Sequence, residues 1–590
     1  MQEEQGFAPF VCAGPNGSGK SNLLEALAAI FYHLECIYLS NRPNSFDYDK
    51  QENSKGFRGK KASPDGFELE YLTKRPVELP GKDDQVRLLI SKTPQKEPEW
   101  RVWNADQGNW ENLEDLEKRE EISTGRALRR ALLPDYVLGY SSGENEILSL
   151  PFFKMRFVQF DEYWQALKKQ DHYDDRPESR LVYLDSGFSQ AILLCNLLFQ
   201  DADTITPFRD DVKIEALKEF RIIIRRSIPL DESRLFEFDP LTKDEKSVRA
   251  NRIRAEHKNE SGERHQERIR DEIIRAHDAL ETAESMFSGS SLRLNLVERL
   301  DGDEKSDKII PRLMRCATCW YLDEASDILY LDYRVNDATR QAFRENFDFE
   351  INNSPIALFH AFQVLLALNL FAVSDSLKAD LYQSDSHYVS ETVPTLASDE
   401  RIMRFKFVKF RKTDVAEPVM LKNLSDGEHQ LLHTLGLCLL FKNTQSLFLL
   451  DEPETHFNPD WRANFVTRLH QSFNGSDGQE MLVTTHTPFL ISDSRPEKVL
   501  VFKKADGMVS VSHPDYNTLG ASINKITMAT FDKRETIGGH AQAMLDGLRQ
   551  RFEQGEDKEQ LIAEINRQLG DSVEKVLLIK TILDSMEGQG

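Results

Sequence analysis

Basic excess, cysteine and long apolar runs are what this chain has least of. Its 75 Lys and Arg are outnumbered by 98 Asp and Glu, a formal net charge of −23. That balance excludes a surface coated throughout for nucleic acid, while leaving room for a local basic groove. Six cysteines scattered over 590 residues exclude a disulfide-stapled secreted scaffold and fit a reducing cytosol, so a cytoplasmic protein is expected. Met1–Gln5 carries acids rather than Lys or Arg before the first apolar run, unlike the start of a signal peptide. The longest apolar stretch, Pro355–Val373, is interrupted by His360, Gln363 and Asn369. A bilayer asks for ~20 largely apolar residues, so this is read as a buried core helix capped at Ser354-Pro355, and no membrane contact is expected.

What is present is a real core. At 590 residues, 40% hydrophobic and 29% charged, the chain predicts two or three compact units. Phe7–Ala13 is a short apolar run that reads as a buried strand. It feeds Gly14-Pro15-Asn16-Gly17-Ser18-Gly19-Lys20-Ser21-Asn22, the G-x-x-x-x-G-K-S spacing of a phosphate loop. Glycines there let successive N–H groups point inward at phosphates. Lys20 is expected to reach the β- and γ-phosphates of ATP, and the Ser21 hydroxyl to ligate Mg²⁺. Leu24, Leu27, Phe31 and Leu34 then recur at helical spacing, which points a helix N-terminus at the anion.

Ser446–Leu450 is a continuous apolar strand ending in Asp451-Glu452, as a central parallel strand does. Asp451 is placed to hold Mg²⁺ through water, and Glu452 to orient and deprotonate the attacking water. Met481–Thr485 is a second such strand, ending at His486, where a γ-phosphate contact is expected. Leu424-Ser425-Asp426-Gly427-Glu428 opens a helix with Leu431, Leu432, Leu435, Cys438 and Leu439 on one period. Its N–H groups, with Ser425 and Gly427, form a second anion site. One chain offers no obvious second phosphate for it, so a twofold dimer is expected in which each signature caps the ATP of the other protomer.

Together these motifs resemble the ABC-type ATPase head shared by SMC, RecF and overcoming-lysogenisation-defect (OLD) proteins. Asp451-Glu452-Pro453-Glu454-Thr455-His456 and Asn458-Pro459-Asp460-Trp461 are similar to the OLD and RecF-like branch. A closer resemblance is to the ATPase subunit of Septu antiphage defence systems (PtuA) and its retron-linked relatives. It is carried by Gly17-Ser-Gly-Lys-Ser-Asn-Leu-Leu-Glu-Ala-Leu, Tyr140-Ser-Ser-Gly-Glu-Asn-Glu and Ser522-Ile-Asn-Lys-Ile. The resemblance implies an α/β fold: a P-loop ABC-type ATPase head with a mainly parallel sheet, an inserted helical region and a C-terminal helical bundle. It also implies a homodimer or higher homo-oligomer and an HNH-type nuclease partner (PtuB-like), in some systems with a retron reverse transcriptase and its RNA–DNA product. Such heads begin with a strand pair that stacks on adenine. Here only Met1–Ala13 precede the loop, so either the start is a late methionine or Phe7 or Phe10 holds adenine loosely.

The domain boundaries read as 1–200 for an N-terminal ATPase lobe, 201–400 for an inserted, mainly helical arm with part of the core, 401–511 for the lobe with signature and acidic strand, and 512–590 for a helical tail that docks a partner or completes the head. Residues 40–120 read as short strands and loops. Tyr136–Tyr140 reads as a strand of the main sheet, with Ser141–Glu144 a loop near the nucleotide. Gln159 is a candidate γ-phosphate sensor, or equally an ordinary surface glutamine. Lys243–Glu284, with Arg249, Arg252, Arg254, Arg264, Arg268 and Arg270, alternates in charge like a solvated helical arm. Arg404–Lys412 is basic and aromatic; a nucleic-acid groove and a lysine-protected edge strand both fit, the edge strand better. Cys316 and Cys319 have C-x-x-C spacing without further ligands, so no zinc is expected. With no second paired-carboxylate site, TOPRIM or HNH cluster in view, the chemistry expected is ATP hydrolysis without intrinsic nuclease activity. A RecF- or SMC-like repair ATPase acting on DNA and a slow, nucleotide-held scaffold are the alternatives.

Overall fold

A computed structural model of the chain describes residues 7–40, 42, 46, 56–122, 125–143, 145–169, 171–229, 293–349, 354–383, 393–394, 396–473, 478–531 and 537–587. The charged segment Lys243–Glu284 and its arginines lie outside the described residues, as does Glu144. The chain divides into two units, Met1–Phe10 with Ser21–Thr484, and Val11–Lys20 with Thr485–Gly590.

In the first unit the strands β6 (Tyr136–Ser141), β7 (Leu181–Tyr183), β15 (Ser446–Asp451) and β16 (Glu480–Thr485) are all parallel, in the order β16-β15-β6-β7. Leu449 sits between Leu482 and Gly139, and Leu138 opposite Val182. Phe448, Leu449 and Leu450 are fully buried, which is why this strand reads as an unbroken apolar run rather than an alternation. The helix Lys20–Tyr38 supplies Leu24, Ala28, Phe31 and Leu34 to the same core as Leu449, with Leu27 partly buried against it.

The polar stretch after that helix folds as an antiparallel sheet of β2 (Phe67–Lys74), β3 (Gln85–Lys92), β4 (Glu99–Asn104) and β5 (Asn109–Asn112). A second antiparallel sheet joins β11 (Cys319–Asp323), β12 (Ile328–Arg334), β8 (Ile214–Arg225), β13 (Met403–Lys412) and β14 (Val419–Met420) in that order. A short pair, β9 (Ser227–Pro229) and β10 (Arg293–Asn295), lies apart. The region expected to be mainly helical therefore also holds strands. The run Ile222–Ile224 at the end of β8 is buried, and a short apolar run does not by itself separate strand from helix. Pro355–Val373 is the expected core element: α-helix over Ile356–Ala367, then a 3-10 turn over Leu368–Ala372. None of the described helices is long and apolar enough to cross a membrane.

The second unit contains β1 (Phe10–Ala13), β17 (Val499–Ala505) and β18 (Met508–Ser512). Val11, Cys12 and Ala13 pair in parallel with Val499, Leu500 and Val501, and β18 closes an antiparallel hairpin on β17. The helix Pro488–Ser492 packs on the helix Ile523–Phe531, and Thr518 Oγ1 donates to Ser494 O at 2.5 Å between them. The tail that follows is a bundle of three helices, Gly539–Glu553, Lys558–Gln568 and Val573–Glu587. Leu545, Leu548, Leu561, Ile565, Leu578 and Ile582 form its own buried core.

Candidate nucleotide site

In the loop after β1, Gly14, Gly17 and Gly19 have φ of +150°, +74° and +94°, a backbone that side chains resist. At Gly14 a Cβ would also lie 2.4 Å from the Phe502 carbonyl, so only glycine fits. Lys20 arches back over the loop and donates from Nζ to Gly14 O at 3.1 Å and Pro15 O at 3.2 Å. The Ser18 hydroxyl is buried with no hydrogen-bond partner among the described residues. Asn16 is exposed at the loop tip, and Asn22 is exposed in the first turn of the helix.

Ser21, the next residue after Lys20, belongs to the first unit and donates to Asp451 Oδ1 at 2.9 Å. Three further groups converge on that carboxylate. Thr484 Oγ1 donates to Oδ1 at 2.6 Å, Asn145 Nδ2 to Oδ2 at 2.9 Å, and Ser141 Oγ to Oδ2 at 3.5 Å. Asp451 is thus a buried carboxylate with both oxygens supplied with donors, as a buried charge requires.

Glu452 adopts φ +51°, a left-handed conformation that costs a non-glycine residue ~1–3 kcal/mol unless its surroundings impose it. They do. Its N–H donates to Thr484 Oγ1 at 3.0 Å and Thr484 O at 3.3 Å. Its carbonyl accepts from Thr455 Oγ1 at 2.9 Å and Gln430 Nε2 at 3.5 Å. The single Thr484 hydroxyl therefore aligns both acids. It gives its proton to Asp451 and receives the amide of Glu452.

The signature begins at Ser425, the N-cap of the helix Asp426–Leu440, with a reciprocal capping box to Glu428. Ser425 N and Oγ donate to Glu428 Oε2 at 2.8 and 2.9 Å, and Lys412 Nζ donates to Oε1 at 2.7 Å. Burial alone would raise the Glu428 carboxyl, but these donors outweigh it and hold it below the usual range. Gly427 sits where a Cβ would come 2.7 Å from His456 O. Gln430 Oε1 accepts from His456 N at 2.8 Å. The signature helix thus packs on the turn that follows Glu452 in the same chain. His486 is exposed just beyond β16.

Several sequence expectations change. Gln159 is neither a sensor nor a surface residue: it is buried in the helix Glu146–Lys169 and accepts from Gln363 Nε2 at 3.4 Å. Asn145 instead reaches the acidic strand end, and its Oδ1 accepts from Leu148 N at 3.1 Å at the start of that helix. An Asn before an apolar helix is an N-cap signal in sequence, which marks the helix start but not the carboxylate it reaches. Phe7 is not free for adenine, because its ring packs on Phe473 at 4.3 Å and on His470 at 6.0 Å. Three of the five cations of β13 are paired: Lys409 with Glu219 at 2.7 Å, Arg411 with Glu215, and Lys412 with Glu428. Beyond β8, its only neighbour in the sheet among the described residues is the two-residue β14. Both observations fit the protected edge rather than a nucleic-acid groove. Cys316 is buried and Cys319 is exposed on β11.

A family model described as "AAA domain, putative AbiEii toxin, Type IV TA system" matches residues 208–492. Residues 208–492 are thus similar to an AAA-type ATPase domain. That stretch includes the signature helix and Asp451-Glu452, while the phosphate loop precedes it. Protein ea59 of Escherichia phage lambda is 23% identical over 120 residues, covering 20% of this chain and 23% of that protein. The retron Vc95 probable ATPase of Vibrio cholerae serotype O1 biovar El Tor is 20% identical over 171 residues, covering 27% of this chain and 32% of that protein. The match therefore spans a third or less of the length of either relative. Among solved structures, the Smc head domain with an extended coiled coil bound to the C-terminal domain of ScpA, derived from Pyrococcus furiosus, aligns with 13% identity and a TM-score of 0.25, over 85% of this chain and 89% of that one. The SmcHead bound to the C-winged helix domain of ScpA aligns with 12% identity and a TM-score of 0.27, over 85% and 90%.

Proposed function

We propose that this chain binds ATP with Mg²⁺ and hydrolyses it. The carrying observation is the Asp451 carboxylate, met by the hydroxyl of the residue that follows the loop lysine and flanked by a Glu452 whose backbone shares the same threonine clamp. The left-handed glycines, the inward lysine and the buried Ser18 hydroxyl fit a phosphate cradle. Ser21 and Asp451 fit Mg²⁺, which keeps several waters and takes few protein ligands. The metal would neutralise phosphate charge. Lys20 would bind the phosphates, and Glu452 would orient the attacking water and take its proton, with His486 as a γ-phosphate contact. Phosphate release should be abolished in Lys20→Ala through lost binding. It should fall ~10²–10⁴-fold in Glu452→Gln with binding retained, the range of a general base. Full turnover in Glu452→Gln would overturn the assignment.

We further propose that the active form is a homodimer or higher homo-oligomer, with Ser425 and Gly427 of one protomer capping the ATP of the other. Its biological role, in this reading, is cytoplasmic antiphage defence, with cleavage done by an HNH-type nuclease that this ATPase controls. The similarity to the retron Vc95 probable ATPase supports that direction and leaves open a retron reverse transcriptase and its RNA–DNA product as further partners. Among the described residues no group of three or more His, Cys, Asp or Glu is arranged to hold a metal ion, and the purified chain is proposed not to cut nucleic acid. Co-purification of the tagged protein with its operon products tests the role. An HNH protein in the complex supports it. A complex with DNA alone would favour the RecF-like alternative, although the paired cations of β13 offer that reading little.

A further inference from the structure

Away from the nucleotide residues, the first unit holds a cleft of about 190 Å³ lined by Arg156, Arg401 and Arg404 together with Phe188, Asn369 and Phe405. No Asp or Glu is among its lining residues. In a chain of net charge −23, three guanidinium groups on one cleft run against the overall balance.

The three arginines are not equivalent. Arg156 is already committed: it pairs with Asp185, donates to Tyr183 O at 2.8 Å, and lies 4.3 Å over the Phe188 ring. Arg404 Nη1 donates to Ser398 Oγ at 3.1 Å, but its Nε is buried with no acceptor among the described residues. Arg401 is exposed at the rim and makes no hydrogen bond or ion pair among the described residues. Two positive charges therefore remain uncompensated, and one of them has a desolvated donor. Leaving such a donor unmet is costly, so an anion that supplies acceptors would relieve it.

The wall around these groups is held in place. Asn369 locks the start of β13 by donating to Met403 O at 3.0 Å and accepting from Met403 N at 3.2 Å. Arg225 Nη2 donates to Asp399 O at 2.6 Å, and Ala397 N to Glu400 Oε2 at 3.3 Å. These bonds fix the loop that carries Ser398 and Arg401. Asp399 and Glu400 are exposed on that loop. Drug-sized sites run ~300–1,000 Å³, so this smaller cleft suits a compact anion. Guanidinium forks match phosphate oxygens in geometry as well as charge.

We propose that this cleft binds a phosphate group, either as inorganic phosphate or as the head of a small phosphomonoester such as a nucleoside monophosphate. Two free guanidinium charges balance a phosphate dianion. The site is separate from the ATP reading and does not depend on it.

The test is calorimetric titration of the full chain carrying Lys20→Ala, which silences the phosphate loop, with inorganic phosphate and separately with AMP. Saturable one-site binding is expected. It should weaken about tenfold or more in Arg401→Glu and vanish when Arg404→Gln is added. Arg401 is exposed, so its substitution reports binding without threatening the fold. Equal affinity for both ligands would assign inorganic phosphate, and tighter AMP binding would assign a phosphomonoester. Absence of saturable binding by either ligand, or binding unchanged in Arg401→Glu, overturns the proposal.

Discussion

Replacing Gly427 by Ala tests whether the signature glycine serves its own chain. The added Cβ would lie 2.7 Å from His456 O, about 0.7 Å inside ordinary van der Waals contact at 3.4 Å. The obstacle is backbone, not a flexible side-chain end, and Gln430 holds the adjacent N–H at 2.8 Å. Overpacking of this kind costs ~1–3 kcal/mol. Alanine recovers ~0.8–1 kcal/mol over glycine in a helix, leaving a net loss of ~0–2 kcal/mol. The displaced turn runs back through Thr455 to Glu452, whose carbonyl it holds. A misplacement approaching 1 Å can cost up to ~10²-fold in rate. Turnover should therefore fall at least about tenfold, while ATP affinity measured with the Glu452→Gln background changes little. The assays are steady-state phosphate release, nucleotide titration and a thermal melt. An unchanged turnover with an equal or higher melting midpoint would show that the turn yields freely, and would refute the reasoning.

Thr484→Val keeps the volume but removes the hydroxyl shared by Asp451 and the Glu452 amide; a loss of ~1–3 kcal/mol is expected in denaturant unfolding, with turnover reduced more than ATP affinity, and full activity would remove Thr484 from the account. For the dimer, Lys20→Ala and Ser425→Arg should each be inactive alone yet regain a fraction of phosphate release when mixed, whereas full activity in a strictly monomeric preparation sinks the trans arrangement. Deleting the bundle from residue 537 onward should leave a soluble chain that still binds ATP, because its core is its own; a cut after Val511 would also strip Thr518 from Ser494. Loss of an HNH partner with the bundle supports docking, and a truncated chain that retains the partner rules it out. Burial pushes Glu162 up to about 8, so the native chain keeps its proton where the unfolded chain, titrating near ~4.3, does not. Wild-type stability relative to Glu162→Gln should consequently fall as pH rises from about 4.3 to about 8 and level off above it; a flat difference in melting midpoint would contradict the burial.

The residues most legible in sequence were those whose chemistry is local. Gly14, Gly17, Gly19 and Lys20 declare a phosphate loop by spacing, and the loop geometry follows from glycine's freedom within a few residues. The run ending at Asp451 announces a strand buried on both faces, and its neighbours β6 and β16 were readable for the same reason. Asn145 and Thr484 were not legible as site residues. Each gains its role from a register between strands far apart in sequence, and a polar residue at a strand end or helix cap usually has a bland explanation. Gln159 failed in the opposite way: its residue type suited a sensor, but the helix face that carries it turns into the core, where Gln363 is its partner. The five-stranded sheet escaped because its central strand β8 mixes charged and apolar residues without a clean period of two.

The acidic pair and the signature are best understood as one mechanical element. Thr484 and Thr455 help hold the left-handed backbone of Glu452 by bonding its N–H and its carbonyl. The turn it opens is gripped from the far side by Gln430, which both donates toward the Glu452 carbonyl at 3.5 Å and accepts from His456 N. Gln430 lies one turn into the helix whose first residues are the proposed trans cap. A cap that engages a partner's nucleotide would load the start of that helix, whose contacts lead through Gln430 to the protomer's own Glu452 and through Glu428 to Lys412. Simple proximity of two ATP sites would not require Gly427 to sit where a Cβ would meet His456 O, nor a buried glutamine to bridge helix and turn. In the proposed dimer, those contacts would couple engagement of the cap to the position of Glu452. They also separate the two roles experimentally, since Gln430→Ala should slow turnover without weakening ATP binding or dimer formation. Equal losses in all three, measured by phosphate release, nucleotide titration and sedimentation, would reduce Gln430 to a packing residue.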